Sequence, residues 1–117
     1  MSNLIVKFSR VALVAALLLL LAGCPTQTRI GDIARDPGRY YNKEVAITGR
    51  VVQSFGALGL GAYEVDDGTG RIWVLSEGFG LPAREAQVVV AGSVIEGASF
   101  GGRSYGLALR QTRKRHY

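Results

Sequence analysis

Two hydropathy patterns divide the chain: a continuous apolar run near its start, and a later region in which apolar and polar residues alternate. The run extends from Val11 to Ala22 and follows the basic residues Lys7 and Arg10. It has the length of the apolar part of a signal peptide and falls short of the ~20 residues of a membrane-spanning helix. The pattern predicts that this N-terminal region is an export signal, which is removed from the mature protein.

Alternation with a period of two begins at Glu44 and predicts five β-strands. The sequence Asp-Gly-Thr-Gly at 67–70 is typical of a hairpin turn, so the second and third strands are predicted to be adjacent and antiparallel. Gly49 and Gly92 fall at inward positions in mid-strand, where a missing side chain permits the sharp coiling of a small barrel. The positions that carry the alternation are Val45, Ile47, Gly49 and Val51; Tyr63 and Val65; Ile72 and Val74; Val88, Val90, Gly92 and Val94; and Leu107 and Leu109.

Three segments flank or join these strands. Ile30 to Arg35 predicts one or two helical turns that end at Asp-Pro-Gly (36–38), with Ile33 and Tyr40 facing the core. Pro25 to Arg29 is interpreted as a flexible polar tether. Ser76 to Glu85 contains two glycines and a proline, so we expect a connector with at most one short helical turn.

The apolar run ends in Leu-Ala-Gly-Cys at 21–24, which contains the only cysteine of the chain. This motif resembles the lipobox of bacterial lipoproteins. The resemblance implies cleavage before Cys24, diacylglyceryl on its thiol and an acyl chain on its amine, and two or more chains hold a protein stably to a bilayer. Pro25 is not the aspartate of inner-membrane retention, so the resemblance favours the outer membrane, facing the periplasm. The alternative is an ordinary signal peptide or N-terminal membrane anchor with an incidental cysteine.

The mature chain carries little net charge. The sequence has 14 Lys and Arg residues against 9 Asp and Glu, and Lys7 and Arg10 belong to the predicted signal, which leaves 12 against 9 and a net charge of +3. The tripeptide Arg-Lys-Arg at 113–115 accounts for that excess. A near-neutral body argues against the broad basic footprint of a nucleic-acid-binding protein. With Cys24 acylated, no thiol remains for a disulfide.

From about Ile30 to Arg113 the chain resembles the OB-fold group, and in particular the small lipid-anchored or secreted OB domains of bacteria. The matching residues are Ile30, Ile33, Pro37 and Tyr40, the alternating strands and the 67–70 turn. The resemblance implies an all-β fold, a five-stranded OB-like barrel with a short N-terminal helical segment; a five-stranded barrel of another topology is the alternative. The predicted organisation is signal peptide 1–23, tether 24–29, barrel 30–113 and basic tail 114–117.

In OB folds, ligands contact the outer face of the second and third strands and two flanking loops. Here the segments 54–61 and 97–104 each contain Ser-Phe-Gly, so we interpret them as mobile apolar loops that clamp a ligand; alternatively the phenylalanines fold back as a lid. Alternation points Trp73 outward, where it either stacks on a ligand or is covered by a neighbouring segment. The candidate ligand-binding residues are Phe55, Tyr63, Arg71, Trp73, Phe100, Arg103 and Tyr105.

The sequence contains few residues suited to catalysis. His116 is the single histidine and lies in a tail predicted to be mobile, which disfavours a nucleophilic triad or a metal site. Asp66 and Asp67 are adjacent carboxylates, but their position fits turn chemistry. We therefore predict a non-enzymatic lipid-anchored envelope protein with no cofactor or metal, whose OB module binds a protein, glycan or other envelope component. The alternative is binding of single-stranded nucleic acid, which Glu64 and Asp66 on the same face oppose. The basic tail is either solvated or in contact with anionic lipid or a partner.

Overall fold

The computed structural model describes residues 25–57, 59–100 and 103–117. The predicted signal peptide and Cys24 lie outside the described residues. The elements, in chain order, are β1 (Thr26–Gln27), α1 (Ile30–Arg35), α2 (Pro37–Tyr40), β2 (Glu44–Ala57), β3 (Leu60–Asp66), β4 (Arg71–Glu77), β5 (Gln87–Phe100) and β6 (Arg103–Gln111).

Strands β2 to β6 close into a ring, which confirms the predicted five-stranded barrel. β2 pairs with β3 and β3 with β4, both antiparallel; β4 pairs with β6 in parallel, and β5 is antiparallel to both β6 and β2. The parallel contact joins Trp73 to Ala108 and Arg110 to Leu75. The Asp-Gly-Thr-Gly turn connects β3 to β4, as its sequence predicted.

Side chains at the alternating positions fill the barrel. Ile47, Val65, Val74, Val90 and Leu109 have no accessible surface, which confirms the assignment of inward faces. The two mid-strand glycines lie where neighbouring backbones approach most closely. A Cβ added at Gly49 would lie 2.6 Å from the carbonyl oxygen of Asp66, and one at Gly92 would lie 2.5 Å from that of Arg110. Glycine is therefore required for the strands to coil this tightly.

Helix α1 contributes the apolar side chains Ile30 and Ile33 to the core, and Tyr40 packs against the core from α2. The connector from Gly78 to Ala86 contains no helix, so these two short N-terminal helices are the only helices in the part of the chain described here.

The segment predicted as a tether forms the sheet edge instead. Thr26 and Gln27 pair in parallel with Val45 and Ala46, and the Thr28 amide donates to the Ala46 carbonyl at 2.8 Å. Backbone pairing of this kind needs no particular side chain, which is why the polar sequence did not predict it.

The C-terminal residues are paired with the barrel and do not form a detached tail, although most of them stay exposed to solvent. His116 and Val89 exchange two backbone hydrogen bonds, of 2.8 and 3.0 Å. The Arg113 guanidinium forms an ion pair with Glu44 at 3.0 Å. The charge of Arg113 is therefore compensated within the domain.

Candidate ligand-binding face

The sequence predicted that the two Gly-rich segments are loops. In the structure they are the ends of long β-hairpins. β2 and β3 stay paired out to Ala57 and Leu60, and β5 and β6 stay paired out to Phe100 and Arg103. We call these the β2–β3 arm and the β5–β6 arm. The β2–β5 ladder ends at the pair Arg50 and Gln87, so the β2–β3 arm extends beyond it.

Glycines in the β2–β3 arm serve packing rather than mobility. A Cβ at Gly61 would lie 2.5 Å from a methyl carbon of Leu81, and one at Gly56 would lie 2.5 Å from the Leu60 carbonyl oxygen. Leu81 belongs to the β4–β5 connector and fills the space that these glycines leave. The flat glycine surface therefore fixes the arm against the connector.

The outer wall of the barrel carries an aromatic pair. The rings of Phe55 and Trp73 meet edge to face, with centroids 5.7 Å apart and an interplanar angle of 66°. Trp73 points outward as predicted and is half-buried, and Phe55 keeps 38% of its surface exposed. Beneath and beside Trp73 lies a small apolar cluster of Ala62, Leu75, Ala108 and Ile95. We call the two rings and this cluster the aromatic platform.

Polar side chains line the platform along β3 and β4. Gln53 donates to the Glu64 carboxylate at 3.2 Å. The Arg71 guanidinium lies 3.1 Å from Asp66 and 3.8 Å from Glu64. The amide of Gly68, and then Arg71, hold the pKa of Asp66 below its usual value. Arg71, a predicted site residue, is therefore at the rim of the platform with its charge offset by two carboxylates.

Tyr63 is not on this face, and its assignment as a ligand-binding residue is wrong. It has no accessible surface, and its hydroxyl donates to Gln111 Oε1 at 2.7 Å. The Arg115 guanidinium lies 5.3 Å from its ring centroid, a cation–π contact, and burial raises its pKa. The signal that would have placed it correctly is parity, because Tyr63 is two residues from the inward Val65 and shares its face, whereas Glu64 points to the opposite face.

Arg115 completes a polar network that sequence reasoning missed. Its Nη1 donates to the Gly80 carbonyl at 3.1 Å and to Gln111 Oε1 at 3.2 Å. Gln111 in turn donates to the Arg113 carbonyl at 2.8 Å. The C-terminal segment thus supplies the partners that allow the Tyr63 hydroxyl to be buried.

The remaining predicted residues on the β5–β6 arm are Phe100, Arg103 and Tyr105. The structure pairs Phe100 with Arg103 and places Tyr105 in β6, but the side chains of all three lie outside what it describes. Their role in binding stays a prediction.

The paired carboxylates Asp66 and Asp67 have structural partners. One carboxylate oxygen of Asp67 accepts hydrogen bonds from the Thr69 amide at 2.8 Å and from the Thr69 hydroxyl at 2.6 Å. The other oxygen accepts from the Ile30 amide at 2.8 Å. The Thr69 hydroxyl also accepts from the Gly31 amide at 2.9 Å. Burial alone would raise the pKa of Asp67, but these donors together lower it. The β3–β4 turn thus caps the start of α1, which has no cap of its own.

Neither a metal centre nor a membrane span is found among the described residues. No three His, Cys, Asp or Glu side chains there are placed to hold a metal ion. Over residues 25–57, 59–100 and 103–117, no helix has the length and apolar character needed to cross a bilayer.

Solved structures resemble this barrel, whereas no family model and no curated protein matches the chain. A putative aspartyl-tRNA synthetase from Leishmania major Friedlin matches with a TM-score of 0.61 at 20% identity, over 80% of this chain and 21% of that one. This chain therefore spans about a fifth of the synthetase. An OBody bound to hen egg-white lysozyme matches with a TM-score of 0.55 at 19% identity, over 77% of this chain and 93% of that one.

The second OB-fold domain of replication protein A from Methanococcus maripaludis matches with a TM-score of 0.52 at 18% identity, over 75% of this chain and 91% of that one. At these identities the likenesses concern the fold. Together with the strand pairing, they show that this domain is an OB fold, the class predicted from the sequence.

Proposed function

We propose that this protein is a lipid-anchored binding module of the bacterial cell envelope, which holds a protein or glycan ligand on the aromatic platform. The observation that carries the proposal is the partly exposed pair of Phe55 on β2 and Trp73 on β4, on the outer face of the sheet formed by β2, β3 and β4. OB folds use this face for ligands. Cys24 at the end of the apolar run supports the anchor, with the outer membrane as the favoured location.

The platform offers both contact area and polar recognition. An aromatic pair over a small apolar cluster matches the apolar face of a sugar ring or an apolar side chain of a protein. Gln53, Glu64 and Arg71 at its rim provide an amide, a carboxylate and a guanidinium. These groups pair with hydroxyl and amide groups, which both glycans and proteins present. The OBody bound to lysozyme supports a protein ligand for this fold.

Single-stranded nucleic acid is the second candidate. Stacking of bases on outward aromatic rings is a common use of OB folds, and replication protein A and a tRNA synthetase are among the structures this chain resembles. The charges of the outer wall oppose it. Arg71 is held by Glu64 and Asp66, and Arg110 lies 4.0 Å from Glu77, so the described charged side chains of these strands have an acidic excess. An acidic rim repels phosphates, so we favour a protein or glycan.

Fluorescence titration tests the choice of ligand, because Trp73 is the only tryptophan. The lipidated protein is titrated with purified peptidoglycan fragments and, separately, with a thymidine oligonucleotide, at low and at physiological salt. We expect saturable binding of the fragments that changes less than about twofold with salt, whereas phosphate-dependent binding falls steeply. Saturable binding of the oligonucleotide alone, with a steep salt dependence, would overturn the proposal.

Phe55→Ala is the variant that assigns binding to the platform, since it keeps the Trp73 signal. We expect about a tenfold loss of affinity, as for one aromatic anchor. Phe79→Ala is the matched control, because Phe79 has nearly the same exposure, 37%, and lies on the β4–β5 connector. For a protein ligand, a photo-crosslinking residue in place of Gln53 on the membrane-bound lipoprotein should capture the partner, and Phe55→Ala should reduce the capture.

A further inference from the structure

The start of the described chain leaves almost no slack between the predicted acylation site and the folded barrel. Pro25 is the only residue between Cys24 and β1, and proline has a fixed φ angle. Two trans peptide units span at most ~7.6 Å between Cα atoms. The Cα atom that carries the acylated side chain would therefore lie within about this distance of Thr26 at the sheet edge.

Residues after Pro25 are held firmly. The Thr28 amide is bonded to Ala46, its hydroxyl donates to the Thr26 carbonyl at 2.9 Å, and Gln27 donates to the Thr48 hydroxyl at 2.9 Å. Thr28 is buried, and Ile30 lies in the core two residues later. Any force on the N-terminus is thus passed directly to the barrel.

Strand register fixes which part of the barrel lies nearest the anchor. β1 is parallel to β2, with Thr26 opposite Val45, so the chain leaves the sheet at the level of Glu44 and Lys43. Tyr41, Asn42 and Lys43 lie there, tied to β5 through Val94, and all three are exposed. We call Thr26 and residues 41–43 the anchor end. A tyrosine and a lysine are suited to the headgroup region of a bilayer, where an apolar stem and a polar tip are both satisfied.

We propose that the acylated N-terminus holds the barrel against the bilayer in one orientation, with the anchor end toward the lipid headgroups and the β2–β3 arm directed away from them. This inference rests on the proposed lipid anchor. β2 begins at the anchor end and runs away from it to the β2–β3 arm, which carries Phe55. Phe55, at the arm side of the platform, would therefore face the aqueous envelope space, whereas Ile95 follows Val94 and lies nearer the anchor end, on the side to which the β5–β6 arm extends.

Charge contributes little to this orientation. Lys43 is basic, but Glu44 is paired with Arg113, and Glu96 follows Val94 by two residues on β5. A surface of mixed sign gains little from anionic lipid. The short connection to the anchor therefore sets the orientation, which should be the same in zwitterionic and in anionic vesicles.

Cysteine labelling tests the orientation, because an acylated Cys24 leaves an introduced cysteine as the only free thiol. An environment-sensitive fluorophore is attached at Tyr41→Cys, in the anchor end, or at Arg84→Cys, an exposed site beside Val52 and roughly 26 Å along β2 from Glu44. The full lipoprotein is placed in phosphatidylcholine vesicles that carry a quencher on the headgroup. We expect quenching at position 41 to exceed that at position 84 severalfold, in both vesicle types.

Inserting eight Gly and Ser residues between Cys24 and Pro25 is the matched control, and it should make the two sites similar. Equal quenching with the native spacing, a contrast that survives the insertion, or a contrast that appears only with anionic lipid would each overturn the orientation. Mass spectrometry of the N-terminal peptide separates the two proposals: an unmodified Cys24 removes the lipid anchor itself, whereas acylated protein with equal quenching removes only the orientation.

Discussion

The β3–β4 hairpin carries one aromatic side chain on each of its surfaces, and the two have opposite environments. Tyr63 on β3 has no accessible surface, whereas Trp73 on β4 is half-buried and meets Phe55. The two residues lie close together on paired strands, since Trp73 is opposite Glu64 and Tyr63 is opposite Val74. Parity along the strand therefore decides whether an aromatic side chain supports the core or is open to a ligand.

Polar partners differ between the two surfaces in the same way. The Tyr63 hydroxyl is satisfied inside by Gln111, which Arg115 also contacts. Around Trp73 the partners are exposed ion pairs, in which Arg71 keeps about half of its side chain in solvent. Exposed pairs contribute little to folding, so the outer residues can exchange them for contacts to a ligand at small cost.

The largest expected effect is on the inner surface, from Val90→Asp. Val90 has no accessible surface and lies opposite Ile47, so the variant would bury an unpaired carboxylate. The cost of several kcal/mol is comparable to the ~5–15 kcal/mol that stabilise a typical domain. We expect no cooperative thermal unfolding transition by circular dichroism. Arg50→Ala, a half-buried outward position of β2, is the control and should melt near the parent. A cooperative Val90→Asp domain of parental stability would contradict the inward assignment.

Truncating the two aromatic residues compares the surfaces directly. Tyr63→Ala opens a cavity in the core and removes the partner of Gln111, at about 3–5 kcal/mol in the free energy of unfolding. Trp73→Ala should cost about 1–2 kcal/mol, because half of the side chain is already solvated. Urea denaturation measures both.

Binding should show the reverse order. Trp73→Ala should reduce the binding free energy of a ligand on the platform by about 1–3 kcal/mol. Tyr63→Phe, which keeps the core filled, should leave the affinity unchanged. If Tyr63→Phe reduced affinity as much as Trp73→Ala, the distinction between the two surfaces would be wrong.

Alternation made most of this arrangement predictable. Strand faces, the β3–β4 turn, the coiling glycines and the burial of Ile33 all follow from local sequence, because a barrel wall must place apolar side chains on one side. The same rule, applied to Tyr63, would have excluded it from the ligand-binding residues. Its position two residues after the glycine-rich segment 54–61 does not change that parity.

Features that depend on distant contacts were not predictable. The glycine-rich β2–β3 arm has low strand propensity, and its pairing is supported by Leu81, which packs onto Gly61 and Gly56. The basic C-terminal residues resemble a solvated tail until the barrel provides Tyr63 and Val89 as partners. The pairing of Thr26 and Gln27 involves backbone groups alone, which leave no pattern in the sequence.

Asp67→Asn is expected to have a smaller effect, at the turn that joins the two strands. The variant weakens the bonds to Ile30 and Thr69 and should cost about 1 kcal/mol, as for loss of a helix cap. The pKa of Asp67 is lower in the folded protein than the usual 3.8. Its stabilisation is therefore fully present above pH 3.8 and is lost as the pH falls through the lower folded-state value.

Melting temperatures between pH 2 and pH 6 measure this dependence. The parent should lose stability below about pH 4, and Asp67→Asn should lose less over the same range. Asp66→Asn is the matched control. The Asp66 carboxylate also has a lowered pKa but lies on the exposed outer wall, so the acid dependence of this variant's melting temperature should stay closer to that of the parent. An Asp67→Asn variant with the parent's full acid dependence would show that Asp67 does not cap α1.

The smallest effect expected concerns the cover that Phe55 gives to Trp73. Because Trp73 is the only tryptophan, acrylamide quenching of its emission reports the exposure of one side chain. Phe55→Ala removes the ring whose centroid lies 5.7 Å away, so the quenching constant should rise by about half while stability changes by less than ~1 kcal/mol. Phe79→Ala, on the connector, should leave quenching unchanged. An unchanged quenching constant in Phe55→Ala would mean that the two rings do not form one platform, and that a ligand would contact Trp73 alone.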